Sequence, residues 1–394
     1  MLDQGIGKRI KVARKLAGLT QEQLAQRNHY SVSTVRAVEQ GREPTSMAFA
    51  AATASALGVP LEELTGQPYR NLLEEDGGLP GLAELRAIFA EGRYVVPIEP
   101  RPLTLLSDDV GQIRILRRED KARQALMRLP DVIRELHGAI SIGDSTTAAR
   151  AHGLLAHAYA TATLTTYRFG YTSMAIHSVD RMEDHAARSD DSRLPIYSLI
   201  HRGHMLMASA SYGLADDMVN RALVMLESEE VDEGTLSLRG AAHLRAAIVN
   251  ARNWRPDTAR DHIDSARVIG EQLGRTTYAY DTSMGPGNVM IHDIAVSLES
   301  GDPGRAARDG SKVVLPPDVQ ATRVGRHWMD IARAWSLEGK PDNALKALQN
   351  AKAVAPQQTK LHPNAQETLR AIAEAERRRS NSLANFATWM GMKI

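Results

Sequence analysis

The chain has 394 residues, of which 43% are hydrophobic and 24% are charged, and 48 Lys and Arg residues nearly balance 47 Asp and Glu residues. This composition excludes wholesale disorder, and the length predicts two or three domains. A formal net charge of +1 predicts no global field, so any contact with nucleic acid must come from a local patch. With 0 cysteines, the chain can form no disulfide, zinc–thiolate or iron–sulfur site.

The N-terminus carries charges where a secretory signal needs an apolar core, so we expect no signal peptide. The longest small-apolar stretch, residues 47–57, is much shorter than the roughly 20 residues that span a bilayer. The sequence therefore predicts a soluble, cytoplasmic protein that has no membrane partner.

Apolar residues recur at spacings of three and four along the chain, and alternating β-branched runs are nearly absent, which predicts an all-α protein. Turn residues divide residues 1–66 into short helices of one small domain. Residues 67–104 are rich in proline and glycine and predict a linker with one docking helix over 82–91. Residues 105–380 predict a sensor and dimerisation domain of helical repeats, and residues 381–394 predict a C-terminal helix.

The predicted repeats share a pattern that starts at Gly170, Gly213, Trp254, Gly301 and Gly339. Small or apolar residues follow each of these turns at offsets of 5, 9 and 12, which place them on one stripe of a helix. Successive turns are 43, 41, 47 and 38 residues apart, a range that suits arrays of helical hairpins. The sequence therefore predicts a TPR-like α-solenoid.

Proline follows several of these turns at the position where a second helix begins, in Arg255-Pro256, Asp302-Pro303 and Lys340-Pro341. Proline is well tolerated at the first position of a helix, and Asp302 can cap the helix that follows it. The longest period contains residues 275–287, which predict an extra loop in one repeat.

Residues 19–41 have the pattern of two short helices joined by a tight turn. Thr20 and Gln23 predict a capping box for the first helix, and Ser31 is placed to cap the second. The outward N-terminal half of the second helix could then enter a major groove. The positions expected to face the core are Leu24, Ala25, Val35 and Val38, and those expected to face outward are Val32, Ser33, Arg36 and Ala37.

This segment resembles the Xre/Cro-like regulators, whose motif L-[ST]-Q-E-x-L-A-x(5)-S-x-x-T-[IV]-x-x-[IV]-E-x-G matches residues 19–41 at nearly every defined position. The resemblance implies a structural ion pair between Arg14 and Glu39. The usual glycine of the inter-helix turn is replaced by Asn28-His29, and asparagine can adopt the left-handed backbone needed there.

The same resemblance implies that the second helix contacts base edges while Gln21 and residues 40–42 hold phosphates. Arg36 is the strongest candidate base reader, because a guanidinium can pair with guanine O6 and N7. The alternative is a merely solvated helix face. The expected DNA-binding residues are Gln21, Ser31, Val32, Ser33, Thr34, Arg36, Ala37, Gln40 and Arg42.

The small domain carries little positive charge, since eight Lys and Arg residues face six Asp and Glu residues over residues 1–65. A single weakly charged module binds DNA weakly, and pairing two modules on adjacent half-sites is the usual remedy. We therefore expect a homodimer on a palindromic double-stranded DNA operator.

The whole chain resembles actinobacterial regulators with TPR-like repeats and, more distantly, peptide-pheromone-responsive regulators. Residues 284–292, 299–302, 362–363 and the closing helices carry the first likeness. The resemblance implies a peptide or small-molecule effector in a groove lined by the first helix of each pair. The simpler explanation of each candidate contact is a solvated or inter-helix hydrogen-bonding residue; the candidates are Tyr159, Arg202, Arg245, Asn250, Asn288 and His292.

No cofactor, metal or catalytic constellation is predicted. His201 and His204 could touch a metal but lack a visible third ligand, so we expect them to be surface histidines. Residues 304–312 only superficially suggest a phosphate loop, and the basic run 377–379 suits a solvated helix end.

The sequence thus predicts a dimeric, sequence-specific transcriptional regulator and no enzyme. The alternative is a scaffold whose repeats bind a partner protein and whose first domain only tethers it to DNA.

Overall fold

The computed structural model describes residues 5–69, 73–74, 78–375 and 380–392. Within these residues all regular structure is helical, apart from one isolated bridge between Thr277 and Met284. The all-α prediction is confirmed. The basic run 377–379 lies outside the described residues.

The first domain consists of α1 (Ile6–Leu16), α2 (Gln21–Asn28), α3 (Val32–Glu39), α4 (Met47–Leu57) and α5 (Leu61–Thr65). Its small core includes all four positions predicted to face it. Helix α1 lies directly on the end of α3, since a Cβ added at Gly7 would stand 2.0 Å from the Val38 carbonyl oxygen. The core residues are Ile6, Ile10, Ala13, Leu24, Ala25, Val35, Val38, Phe49, Ala50, Ala54 and Leu64.

Helix α6 (Leu82–Glu91) lies where the docking helix is predicted, and it packs against the helix that spans Ala122–Ile142. Gly81 permits the close approach, because a Cβ there would meet the Leu126 carbonyl oxygen at 2.4 Å. The following chain is held to the same helix by the Ile98 amide, which donates to the Arg134 carbonyl at 3.3 Å.

Antiparallel helix pairs then stack one on the next, as the α-solenoid prediction requires. We call residues 103–375 the repeat region. Its pairs are α7 (Leu103–Arg118) with α8 (Ala122–Ile142), α9 (Ser145–Arg168) with α10 (Thr172–Ala186), α11 (Leu194–Ala208) with α12 (Tyr212–Glu227), α13 (Glu233–Arg252) with α14 (Pro256–Leu273), α15 (Pro286–Glu299) with α16 (Pro303–Gly310), and α17 (Ala321–Leu337) with α18 (Pro341–Val354). Three further helices follow: α19 (Pro356–Leu361), α20 (Pro363–Ala375) and α21 (Asn381–Trp389).

Four of the five predicted turns are correct, with left-handed residues at Gly170, Trp254, Gly301 and Gly339. The fifth is wrong, because Gly213 lies inside α12 and the left-handed residue is Ala210, with φ 60°. Residues three positions apart on a helix lie on nearly the same face, so the apolar pattern could still be matched when it was counted from Gly213. Counted from Ala210, offsets of 5, 9 and 12 reach the fully buried Ala215, Val219 and Ala222.

An additional pair, α7 with α8, precedes those predicted. Its turn residue Asp120 has φ 64°, and Ala125, Leu129 and Val132 follow at the same three offsets and are buried. The Asp120 carboxylate accepts hydrogen bonds from the amides of Gln357 and Gln358 at 2.7 and 3.0 Å. Aspartate therefore stands where glycine is expected because its side chain caps α19.

The predicted helix starts are confirmed, with proline in the first turn of α14, α16 and α18. The Asp302 carboxylate accepts the Arg305 amide at 2.9 Å. The predicted loop is also present, and residues 274–285 between α14 and α15 run into the interior of the solenoid, where Asp281 is buried. None of the described helices has the length and apolarity that a membrane crossing requires.

Candidate nucleic-acid interface and interior cavity

The ends of α2 and α3 are fixed by side-chain caps. The Gln23 amide donates to Thr20 Oγ1 at 3.2 Å, and the Thr20 amide donates to Gln23 Oε1 at 2.8 Å. At the start of α3, Ser31 Oγ accepts the Thr34 amide at 3.0 Å. Both predicted caps are confirmed, and they set where the second helix begins.

A buried ion pair joins α1 to α3. Arg14 Nε and Nη2 donate to the two carboxylate oxygens of Glu39 at 2.6 and 2.9 Å, and Gln21 Nε2 donates to Glu39 Oε2 at 2.8 Å. Burial alone would raise the pKa of Glu39, but Arg14 and Gln21 outweigh burial and lower it. The predicted ion pair is confirmed, and Gln21 is part of this network.

The predicted DNA-binding residues are exposed or half-buried, with one exception. Ala37 was expected to face outward but is buried, because the chain turns back after α3 and the Arg42 amide donates to the Ala37 carbonyl at 2.9 Å. Val32 packs partly on the core. Ser31, Ser33, Arg36, Gln40 and Arg42 are exposed, whereas Gln21, Val32 and Thr34 are half-buried.

The inter-helix turn forms without glycine, in a way that the sequence did not predict. The left-handed residue is His29, with φ 59°, and not Asn28. Asn28 is buried instead, where its Nδ2 donates to Thr53 Oγ1 at 3.1 Å and its Oδ1 accepts the Tyr30 amide at 3.2 Å. The asparagine thus ties the turn to α4.

The first domain packs against two separate parts of the repeat region. The Ile6 amide donates to Glu367 Oε1 on α20 at 3.1 Å. The ring of Tyr30 meets Trp254 edge to face, with centroids 5.4 Å apart, beside a cleft of about 700 Å³ between α2, α4 and two inter-helix turns. The exposed side chains at the start of α3 remain accessible to solvent. No motif in the sequence signalled this packing.

Three of the six candidate effector contacts come together, and three do not. Arg245, Asn288 and His292 line a partly open space of about 70 Å³ between α9, α11, α13, α15 and α17, which we call the interior cavity. Its other polar lining residues are Tyr197, His201, His204, Asp281, Thr282 and Arg323. Tyr159 is fully buried in the main core, Arg202 binds Glu183 and Asp180, and Asn250 Nδ2 donates to Asp216 Oδ1 at 2.8 Å.

His201 and His204 are not surface histidines as expected, since both side chains point into the interior cavity. Burial, aided by nearby arginines, lowers the pKa of His201 to about 3 and lowers the pKa of His204 strongly. Both rings are therefore neutral near pH 7. Among the described residues no group of three or more His, Cys, Asp or Glu side chains is arranged to hold a metal.

Ion pairs cluster around this interior. Arg117 donates to Asp281 at 2.7 Å and Arg118 binds the same carboxylate. Arg252 and Arg333 share Glu299 at 3.3 and 3.4 Å. Burial alone would raise the pKa values of both acids, but the arginines outweigh burial and hold each pKa at about 2.

Residues 6–65 match the family model described as a helix-turn-helix domain. With the α-solenoid behind it, this domain defines the class of the protein, an all-helical chain with an N-terminal helix-turn-helix domain and TPR-like repeats. No curated protein sequence matches the chain.

Several solved structures are similar to this chain. One is PlcR of Bacillus thuringiensis in complex with the peptide PapR7 and DNA, with 13% identity, coverage of 95% of this chain and 99% of that chain, and a TM-score of 0.36. ComR of S. thermophilus has 13% identity, coverage of 90% and 96%, and a TM-score of 0.35. A Rap protein complexed with Competence and Sporulation Factor has 13% identity, coverage of 74% and 93%, and a TM-score of 0.42.

Proposed function

We propose that the protein is a sequence-specific transcriptional regulator that binds an operator as a homodimer and changes its affinity when the repeat region binds a peptide or small molecule. The observation that carries the proposal is the start of α3. Ser31, Ser33 and Arg36 are exposed there on a helix fixed by its cap and by the Arg14–Glu39 ion pair.

In this arrangement the exposed half of α3 enters the major groove, where Arg36 reads a base edge. Arg42 lies beyond the helix and binds a phosphate. The serine hydroxyls at the start of α3 support the same assignment, since Ser31 Oγ lies 2.7 Å from Ser33 Oγ and both can reach the DNA backbone.

The ion pairs of the repeat region supply a physical connection between effector and operator. Arg252 is paired with Glu299 and also lines the cleft beside Tyr30. Glu43 of the first domain lies near Arg333, which shares Glu299 with Arg252. An effector that binds one arrangement of this network better than another shifts the position of α3 in the dimer.

The test is DNA binding by fluorescence anisotropy, with operator fragments selected from random duplexes. Arg36→Ala should lose about 1–3 kcal/mol of discrimination at one base pair. Arg42→Ala should weaken binding to all sequences alike and reduce the salt slope by about 1. Lys15→Ala, at an exposed position on α1, is the matched control.

If the wild-type protein shows no sequence preference, or if Arg36→Ala weakens selected and random DNA equally, the regulator proposal fails and the tethered scaffold is favoured. Light scattering tests the dimer. A particle of a single 43.1 kDa chain at micromolar concentration would reject the homodimer.

A further inference from the structure

Two arginines of the interior cavity differ from their neighbours in having no carboxylate within ion-pair distance. The side chains of Arg245 and Arg323 form no hydrogen bond or ion pair with any residue that the structure describes, although Asp281 lies near Arg323. The Nε of Arg245 is buried as well. Burial, with Arg323 nearby, lowers the pKa of Arg245 to about 9, so the guanidinium still carries its charge at pH 7.

Four other arginines around this interior are paired with carboxylates. Asp281 neutralises Arg117 and Arg118, and Glu299 is shared by Arg252 and Arg333. Both arginines are partly buried, so each guanidinium gives up part of its hydration without gaining an ion pair. Two neighbouring positive charges left in this way favour binding of an anion between them.

The remaining polar groups of the cavity suit an anion. His201 Nδ1 and His204 Nδ1 are buried and have no hydrogen-bond partner among the described residues. The histidines are neutral, and each can present one N–H as a donor. The nearest carboxylate, Asp281, is already bound by Arg117 and Arg118.

The size of the cavity limits what can enter it. The space within it, about 70 Å³, takes one compact group such as an oxyanion. A larger effector could place only a charged end group here.

We propose that the interior cavity binds an oxyanion, a phosphate or carboxylate group, between the guanidinium groups of Arg245 and Arg323. The buried Asp281 carboxylate, held by Arg117 and Arg118, is an example within the same interior of two arginines that hold one oxyanion. The assignment of this cavity as the effector site of a regulator rests on the proposed function. Binding of the oxyanion itself does not require DNA.

The test is thermal melting of the full chain without DNA, with sodium phosphate or sodium acetate titrated against sodium chloride at constant ionic strength. A site that binds only the folded state gives a saturable rise in melting temperature. Arg245→Met and Arg323→Met should abolish that rise, whereas Arg221→Met, at an exposed position on α12, should retain it. The phosphate and acetate arms distinguish the two sources of the oxyanion.

Equilibrium dialysis of the wild-type protein with radiolabelled phosphate and acetate is the second measurement, so the proposal does not depend on a variant that fails to fold. One ion bound per chain supports it. Two results would overturn it. The first is a rise in melting temperature that is the same in the wild-type protein and in Arg245→Met for both anions. The second is a dialysis experiment that detects neither anion bound to the wild-type protein. Because DNA is absent from both assays, their failure leaves the operator proposal standing, and loss of DNA binding leaves the anion site standing.

Discussion

The first domain and the repeat region place their charges in opposite ways. In the helix-turn-helix domain the strong Arg14–Glu39 pair is buried and complete, and the candidate contact residues such as Arg36 are exposed. In the repeat region the polar groups lie inside, around Asp281, Glu299 and an unpaired Arg245. A surface that docks onto a rigid duplex needs a fixed backbone and exposed side chains. An interior that senses a ligand needs polar or charged groups without a partner, with which the ligand can pair.

The difference between the two regions should have its largest effect on their stability at acid pH. Burial lowers the pKa values of His157, His201 and His292 to about 3, so these repeat-region rings are neutral when folded. The unfolded chain binds protons below about pH 6.5, so their contribution to stability is complete above that pH and is lost as the pH falls toward 3.

We therefore expect the repeat region to unfold between about pH 6.5 and pH 4, before the first domain, whose His29 is exposed. Tryptophan fluorescence reports the repeat region, because Trp254, Trp328 and Trp335 lie within it and Trp389 of α21 packs against its last helices. Pulse-labelled hydrogen exchange read by mass spectrometry reports residues 6–65. Simultaneous loss of both signals would contradict the expected order.

Removing a shared counter-charge in the interior should have the next largest effect. Glu299→Gln leaves Arg252 and Arg333 buried without a carboxylate and should cost about 3 kcal/mol of unfolding free energy. The melting temperature should fall by roughly 5 °C. Exposed Glu271→Gln is the control, and an equal melting temperature for the two variants would show that the network is not stabilising.

In the first domain, close packing of α1 on α3 should matter more than surface charge. Gly7→Ala places a Cβ 2.0 Å from the Val38 carbonyl oxygen, so the helices must separate, at a cost of about 2 kcal/mol. DNA affinity should fall with it, because α3 shifts. Gly111→Ala on α7, where a Cβ meets open space, is the control. Unchanged DNA affinity in Gly7→Ala would contradict the tight coupling of α1 to α3.

The smallest expected change in stability comes from two substitutions that test where the turn of one repeat lies. Gly213→Ala should raise stability by about 0.5 kcal/mol, because Gly213 is helical and its Cβ position is open. Ala210→Gly should also raise stability slightly, since it relieves a left-handed alanine. Thermal melting that shows a loss for Gly213→Ala would place the turn at Gly213 after all.

Much of the fold could be predicted from local signals. The capping residues Thr20, Gln23 and Ser31 act within one turn of helix, so their role is visible in the sequence. The repeat offsets were similarly local, yet a pattern with helical periodicity cannot distinguish registers three residues apart, which misplaced one turn at Gly213. Ala37 was assigned to the wrong face because the chain that covers it, residues 40–46, follows the helix.

The interior could not be predicted in the same way. Arg245, Asn288 and His292 were candidates on chemical type alone, and the same reasoning also selected Tyr159 and Asn250, which are packed away from the cavity. His201 and His204 were expected at the surface. Whether a histidine on a helix faces solvent or the inside of a superhelix depends on the helices that pack beside it.

By itself, the sequence determined the all-α class, the helix-turn-helix motif and its caps, and the existence of a helical repeat array, because each depends on contacts between residues close together in the chain. Only the tertiary structure decided the packing of Tyr30 on Trp254, the pairing of Asp281 with Arg117, and the convergence of Arg245 and Arg323 on one cavity. These contacts join residues many tens of positions apart. Their geometry follows from how the helix pairs stack, which no local pattern encodes.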